Sequence, residues 1–310
     1  MNAQRRRPGP IHLPPKRYVD PHGRSLVGRL PCPPAIGTAA GELQPYLVQV
    51  LDLIGGAGLA VRPGDRVLIK PNFNSPDPCP ASADVEFVAA CAQLLRDAGA
   101  GLVAVGESSG VPWHPTRAVL DKTGLLARMA AMDVPVHIFD EEDWEEVDLA
   151  ALGARHLKSV RLPRAVGLYD RLVFLPNLKT HRLARFTMSL KLSVGLMHPE
   201  DRQPFHAANL EEKTADLALA VRPDLILLDG RLAFVTRGPA SGELVKPGLL
   251  LAGGDQVSVD VTAVRVLQSY PAENRLDMDA WELPQIKAAV ALGLGPAAGA
   301  AGIRVVEMPA

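Results

Sequence analysis

The chain has 310 residues, 47% hydrophobic and 22% charged, ordinary globular proportions at a length sufficient for one large domain or two medium ones. Its 33 Lys and Arg balance 34 Asp and Glu to a formal net charge of -1, so no global field draws it to nucleic acid or an anionic membrane, and neither is an expected partner. Cys32, Cys79 and Cys91 lack zinc or redox spacing, no apolar run reaches membrane-spanning length, and no signal-peptide core follows Arg5, Arg6 and Arg7, so the expected compartment is the cytoplasm.

Residues 1 to 36 are proline-dense and aperiodic, which predicts an extended, poorly ordered arm. From Glu42 to Ile54, apolar residues at helical spacing predict a helix closed by Gly55 and Gly56, and a turn then leads into a strand at Arg66 to Lys70. A helix over Ala83 to Ala98, a strand over Gly101 to Val105, a helix over Thr116 to Met132 weakened at Gly124, and a strand over Val134 to Phe139 follow. This alternation implies right-handed crossovers and a mainly parallel sheet. Asp140 to Asp148 is read as a solvated acidic loop or helix edge, without function.

Asp170 to Leu175 is the next strand, and Ala207 to Val221 an amphipathic helix. Asp224 to Asp229 and Leu249 to Ala252 read as buried parallel strands; Val257 to Gln268 and Leu283 to Leu292 as helices; Ile303 to Val306 as a last strand. The expected fold is α/β, with mainly parallel sheets in two lobes, 40–175 and 176–310, and a cleft between them.

The chemistry concentrates between Asn177 and His206, just beyond a strand, where open α/β sheets bind ligands. Three histidines, two lysines and Arg202 in one aperiodic stretch are hard to bury as core and point to water, a ligand or a metal. His181 is the expected proton-transfer residue, with Lys191 and Lys179 beside it as catalytic cations. Lys70 and Asn72 after the first strand, with Thr187, Arg202 and Asp229, are the expected hold on a small anionic substrate. His198 and His206 are possible ligands of a divalent transition metal, although Pro199 and Pro204 argue against one continuous helix between them. Asp260 is assigned to capping the helix that follows it. The Gly106-Glu107-Ser108-Ser109-Gly110 loop is read as a tight turn.

Lys70-Pro71-Asn72, the run from Leu175 to His181, Thr187 to Gly195 with Lys191, Asp229-Gly230 with Gly238-Pro239 and Gly242, then Asp255 and Asp260, resemble the DUF362 family of uncharacterised proteins over roughly residues 60 to 305. Many members carry a ferredoxin-like cysteine cluster; this chain has no such motif, so the resemblance implies no iron-sulfur cluster. Where the family usually reads Lys-Asn, this chain has Lys191-Leu192. More distantly, the order histidine, lysine, histidine is similar to that of nickel-pincer lactate racemases. That resemblance implies a proton-transfer base at His181, an anchoring or electrostatic lysine at Lys191 and a metal ligand at His206. The function expected is an isomerase- or racemase-like enzyme working by proton transfer. The alternatives are a metal-dependent oxidoreductase or lyase, and a non-catalytic accessory protein that binds a ligand or cofactor. A homodimer is a further possibility.

Overall fold

The computed structural model of the protein describes residues 7, 9–34, 39–110, 113–296 and 298–308. In chain order its elements are β1 (Ser25–Pro31), α1 (Ala40–Asp52), β2 (Arg66–Lys70), α2 (Val85–Asp97), β3 (Leu102–Glu107), α3 (Thr116–Lys122), α4 (Leu125–Ala130) and β4 (Val136–Ile138). Next come β5 (Trp144–Asp148), β6 (Ser159–Pro163), β7 (Arg171–Phe174), β8 (Asn177–His181), β9 (Arg185–Thr187), α5 (Ser189–Leu192), α6 (Pro199–Ala207) and α7 (Leu210–Leu217). The chain finishes with β10 (Leu225–Phe234), β11 (Leu244–Val245), β12 (Leu249–Gly253), α8 (Gln256–Gln268), α9 (Pro284–Ala291) and β13 (Ile303–Glu307).

The class is α/β, and the central sheet is mostly parallel. Its order is β13-β1-β12-β10-β7-β2-β3-β4, with β8 and β11 added to β10 and β9 to β8. From β4 to β10 every pairing is parallel. Side chains alternate across the strands, so Val67, Ile69, Val173 and Leu227 enter one core with α1 and α2, while Leu68, Leu172, Phe174 and Leu228 enter the other with α8 and α9. Helices thus cover both faces, the environment that parallel strands require. The boundary expected at residues 175 and 176 falls inside this one sheet, since β7 pairs with β2 on one side and β10 on the other.

Three departures from the sequence reading have simple causes. Ser25–Pro31, placed in the poorly ordered arm, is a sheet strand: Val27 enters one core and Leu30 the other, burial on both faces that gives no alternating pattern among the surrounding prolines. The acidic stretch contains β5, paired with β6 as an antiparallel hairpin in which Val147, Val160 and Leu162 are buried. β12 runs antiparallel to both β10 and β1. Burial on both faces made it look like a parallel strand, and burial does not encode direction.

Among the described residues, no helix is long and apolar enough to cross a membrane.

Candidate functional site

Pro176 has no amide hydrogen to extend the ladder of β7, and β8 continues along β10 instead, with a register shift between Asp229 and Ala233. On β8 the two-residue period puts Asn177, Lys179 and His181 on one face and Leu178 and Thr180 on the other. β9 returns antiparallel with Thr187 opposite Lys179, so both side chains share that face. Gly238 holds the hairpin from outside: its φ is +56°, and a Cβ there would overlap the Thr180 carbonyl. Gly238→Ala is therefore expected to cost at least about 2 kcal/mol in urea denaturation, by displacing the strand that carries Lys179 and His181.

Lys191 enters from α5. The buried Asp260 carboxylate accepts from the amides of Ser189 at 2.8 Å and Leu190 at 2.9 Å, the first two of that helix. Asp260 thus caps α5 and not its own helix, which is capped by Asp255 through the Ser258 amide at 2.8 Å. His206 enters from α6, its Nε2 3.4 Å from Lys191 Nζ and its Nδ1 2.6 Å from the Arg202 carbonyl. Lys179 is 1% exposed, and His181 and Lys191 are each 8% exposed.

The hydrogen bonds fix the tautomers. His181 Nδ1 accepts from the amides of Leu183 at 3.1 Å and Ala184 at 3.0 Å, so the neutral ring carries its hydrogen on Nε2. Nδ1 of His206 faces a carbonyl and must donate, which leaves a lone pair on Nε2. His181 is therefore a hydrogen-bond donor toward the cluster and His206 an acceptor, which corrects the expectation of His181 as the base.

Burial, and then the charges of Lys191, His206 and Lys179, push His181 down to about 2. Burial and Lys191 lower His206 to about 4. Lys179 falls to about 7, chiefly by burial, with Cys79 opposing and Lys191 adding to the fall. Lys191 falls to about 8 through burial and Arg202. Lys179 Nζ donates to the Ala81 carbonyl at 2.5 Å, and among the described residues neither lysine has a carboxylate within ion-pair distance.

The remaining candidates are tied up nearby. Lys70 Nζ meets Glu107 Oε1 at 2.5 Å and the Pro71 carbonyl at 2.7 Å, both side chains 1% exposed, so it is a partner in a buried ion pair and not a free anion clamp. Arg202 gives its donors to Ser108 and to the carbonyls of Gly195 and Met197, and so braces α6 against the strand ends. Asn72 donates to Asn177 Oδ1 at 3.0 Å, at the edge of the cluster. Asp229 lies within β10 and not at a strand end, held by Arg231 at 2.7 Å. His198 caps α6 by accepting from the Glu200 amide at 3.3 Å, with its ring edge-on to Trp144.

Pro199 occupies the first turn of α6, where no amide hydrogen is needed, and the helix continues through Pro204 at the expense of one internal bond. His198 and His206 thus stand at opposite ends of α6, about 12 Å apart along its axis at 1.5 Å per residue. Among the described residues no three His, Cys, Asp or Glu side chains converge as a metal centre would need. The sequence reading assigned Glu107 only a place in a turn and Asp260 only a cap on its own helix, and offered no role for Cys79, whose thiol lies 3.7 Å from Asn177 Nδ2. The position of Glu107 at the carboxyl end of a strand was the available signal.

Fold and cluster together define an α/β protein with a closed, cation-rich site at the carboxyl edge of its parallel strands. The chain belongs to the DUF362 family, a domain of unknown function whose model matches residues 67–265. A thylakoid-associated protein of Synechocystis sp. is 32% identical over 269 residues, covering 84% of this chain and 78% of that protein. The lactate racemase apoprotein of Thermoanaerobacterium thermosaccharolyticum aligns with a TM-score of 0.45 and 12% identity over 81% of this chain. A protein from Thermotoga maritima aligns with a TM-score of 0.42 and 11% identity over 76% of the chain. The matched part spans 58% of each of those two solved structures.

Proposed function

We propose that this protein is an enzyme that binds a small anionic metabolite at Lys179, His181, Lys191 and His206 and moves a proton on it, an isomerase- or racemase-like reaction. The observation that carries this reading is two buried lysines without a carboxylate partner among the described residues, set beside two imidazoles of opposite hydrogen-bonding sense. An anion supplies the missing counter-charge, and its oxygen takes the place of the Ala81 carbonyl on Lys179. Thr187, opposite Lys179, adds a hydroxyl on the same face.

Lys179 is the general base in this scheme. Burial lowers its amine to about 7, which brings the free base within reach near neutral pH, the condition that favours proton transfer in both directions. Neutral His181 donates from Nε2 to the oxygen on which negative charge develops, and Lys191 supplies a positive charge close by. The Nε2 lone pair of His206 accepts from Lys191 and orients its ammonium.

Solvent deuterium exchange tests this. With a panel of small carboxylates in D2O, the wild type is expected to wash deuterium into the carbon next to the carboxylate of its substrate. Lys179→Met is expected to slow that exchange by about 10²–10⁴-fold. Tight binding without exchange across the panel would overturn the catalytic reading and leave an accessory protein that holds an anion.

A further inference from the structure

We infer that the site is built for a dianion, a small dicarboxylate or phosphomonoester, and not for a singly charged acid. This rests on the anion-binding part of the reading above and narrows it to a substrate class.

The inference comes from the charges around the cluster. Buried cations nearby face carboxylates: Lys70 meets Glu107 at 2.5 Å, and Arg231 meets Asp229 at 2.7 Å and Asp84 at 2.8 Å. Arg202, with its donors on neutral oxygens, lies in the fields of Glu107 and Asp140. Lys179 and Lys191 differ from all three, since among the described residues neither has an ion pair or a full set of oxygen acceptors. The former touches a carbonyl and the latter a neutral imidazole, and among the described residues neither has a carboxylate within ion-pair distance.

In the state where Lys179 is protonated, which alternates with the free amine that acts as base, two buried ammonium groups that feel each other's charge face the ligand and call for two negative charges. A monoanion leaves one of them uncompensated in a site with almost no access to water, the expensive arrangement for a buried charge, whereas a dianion offsets both. The neutral groups agree, since His181 Nε2 and the Lys179 ammonium offer hydrogens, which suits a ligand rich in oxygen acceptors. A hydroxyl or amide in place of the second charge would meet these donors without balancing the lysines.

Calorimetric titration of the wild-type protein at pH 7 tests the inference with pairs of similar size that differ by one charge: succinate against butyrate, and phenyl phosphate against benzoate. The dianion of at least one pair is expected to bind about tenfold or more tighter than its monoanion. Which pair shows the preference tells dicarboxylate from phosphate ester. In Lys179→Met and in Lys191→Met the preference is expected to shrink to within about threefold, because one positive charge remains. Equal affinity within both pairs in the wild type would overturn the inference while leaving the anion site intact, as would a preference that survives in both variants. No binding by any of the four compounds would sink the anion site itself, together with the inference. The wild-type comparison needs no variant, so a folding defect in either substitution cannot hide the result.

Discussion

Glu107→Ala is expected to destabilise the protein by about 3–5 kcal/mol, the range found when one partner is removed from a buried ion pair. Lys70 and Glu107 are each 1% exposed, and their 2.5 Å contact is not the carboxylate's sole task. Glu107 also accepts from the amides of Phe73 and Ser108, each at 2.8 Å. Burial pushes Lys70 down and Glu107 up, and their mutual attraction opposes both. The single substitution leaves an ammonium facing the Pro71 carbonyl alone and two amides without an acceptor. Retreat of the lysine is blocked at Gly195, where a Cβ would already come within 2.6 Å of its Nζ. Urea denaturation measures the loss, and Lys70→Met combined with Glu107→Gln is expected to recover a large part of it, because no buried charge is then left alone. A single variant within about 1 kcal/mol of wild type, or a double variant as costly as the sum of its parts, would contradict this account.

The second large effect is a steep loss of stability in acid that depends on His181. Its imidazole is held down to about 2 when folded, against an ordinary value near 6.5. Between those limits the unfolded chain binds a proton that the folded chain does not, so stability is complete above about pH 6.5 and falls as the pH drops. One such group contributes up to about 1.4 kcal/mol per pH unit, several kcal/mol in total by about pH 3. His206, lowered to about 4, adds the same sign over a narrower range. His181→Asn keeps an oxygen to accept from the Leu183 or Ala184 amide and removes the titration. Denaturation midpoints at pH 4.5, 5.5 and 6.5 are expected to fall less steeply in the variant, and parallel slopes would refute the assignment. The lysines extend the trend upward. With Lys179 near 7 and Lys191 near 8, the ligand-free protein is expected to gain stability as the pH rises toward 10, where both sidechains begin to lose their protons in the unfolded chain too.

The parallel half of the sheet was legible because each of its strands is a short apolar run between turn signals. β2 falls at the predicted residues, and β3, β4, β7 and β10 lie within one or two residues of the expected starts. Strand direction and the β5–β6 hairpin were not legible, since the first is decided by the loops and the second hides behind acidic side chains that face water. In the candidate site, residue type singled out Lys179, His181, Lys191 and His206; the structure sets Lys179 and His181 on one face of β8 and Lys191 Nζ 3.4 Å from His206 Nε2. Their roles depended on backbone groups that no side-chain pattern announces: the Leu183 and Ala184 amides that set the His181 tautomer, and the carbonyls that occupy Arg202. A run of cations does not reveal which members already have partners. Lys70 and Arg202 proved to be the struts, while Lys179 and Lys191 have no carboxylate partner among the described residues.

β1 lies between β12 and β13, so a segment near the start of the chain is completed by two segments near its end. During synthesis it leaves the ribosome about 220 residues before β12, a delay of roughly 10–40 s at about 5–20 residues per second. For that interval Leu26, Val27 and Leu30 have no strand beside them, and the nascent chain carries an adhesive segment that a holding chaperone would shield until β12 is made.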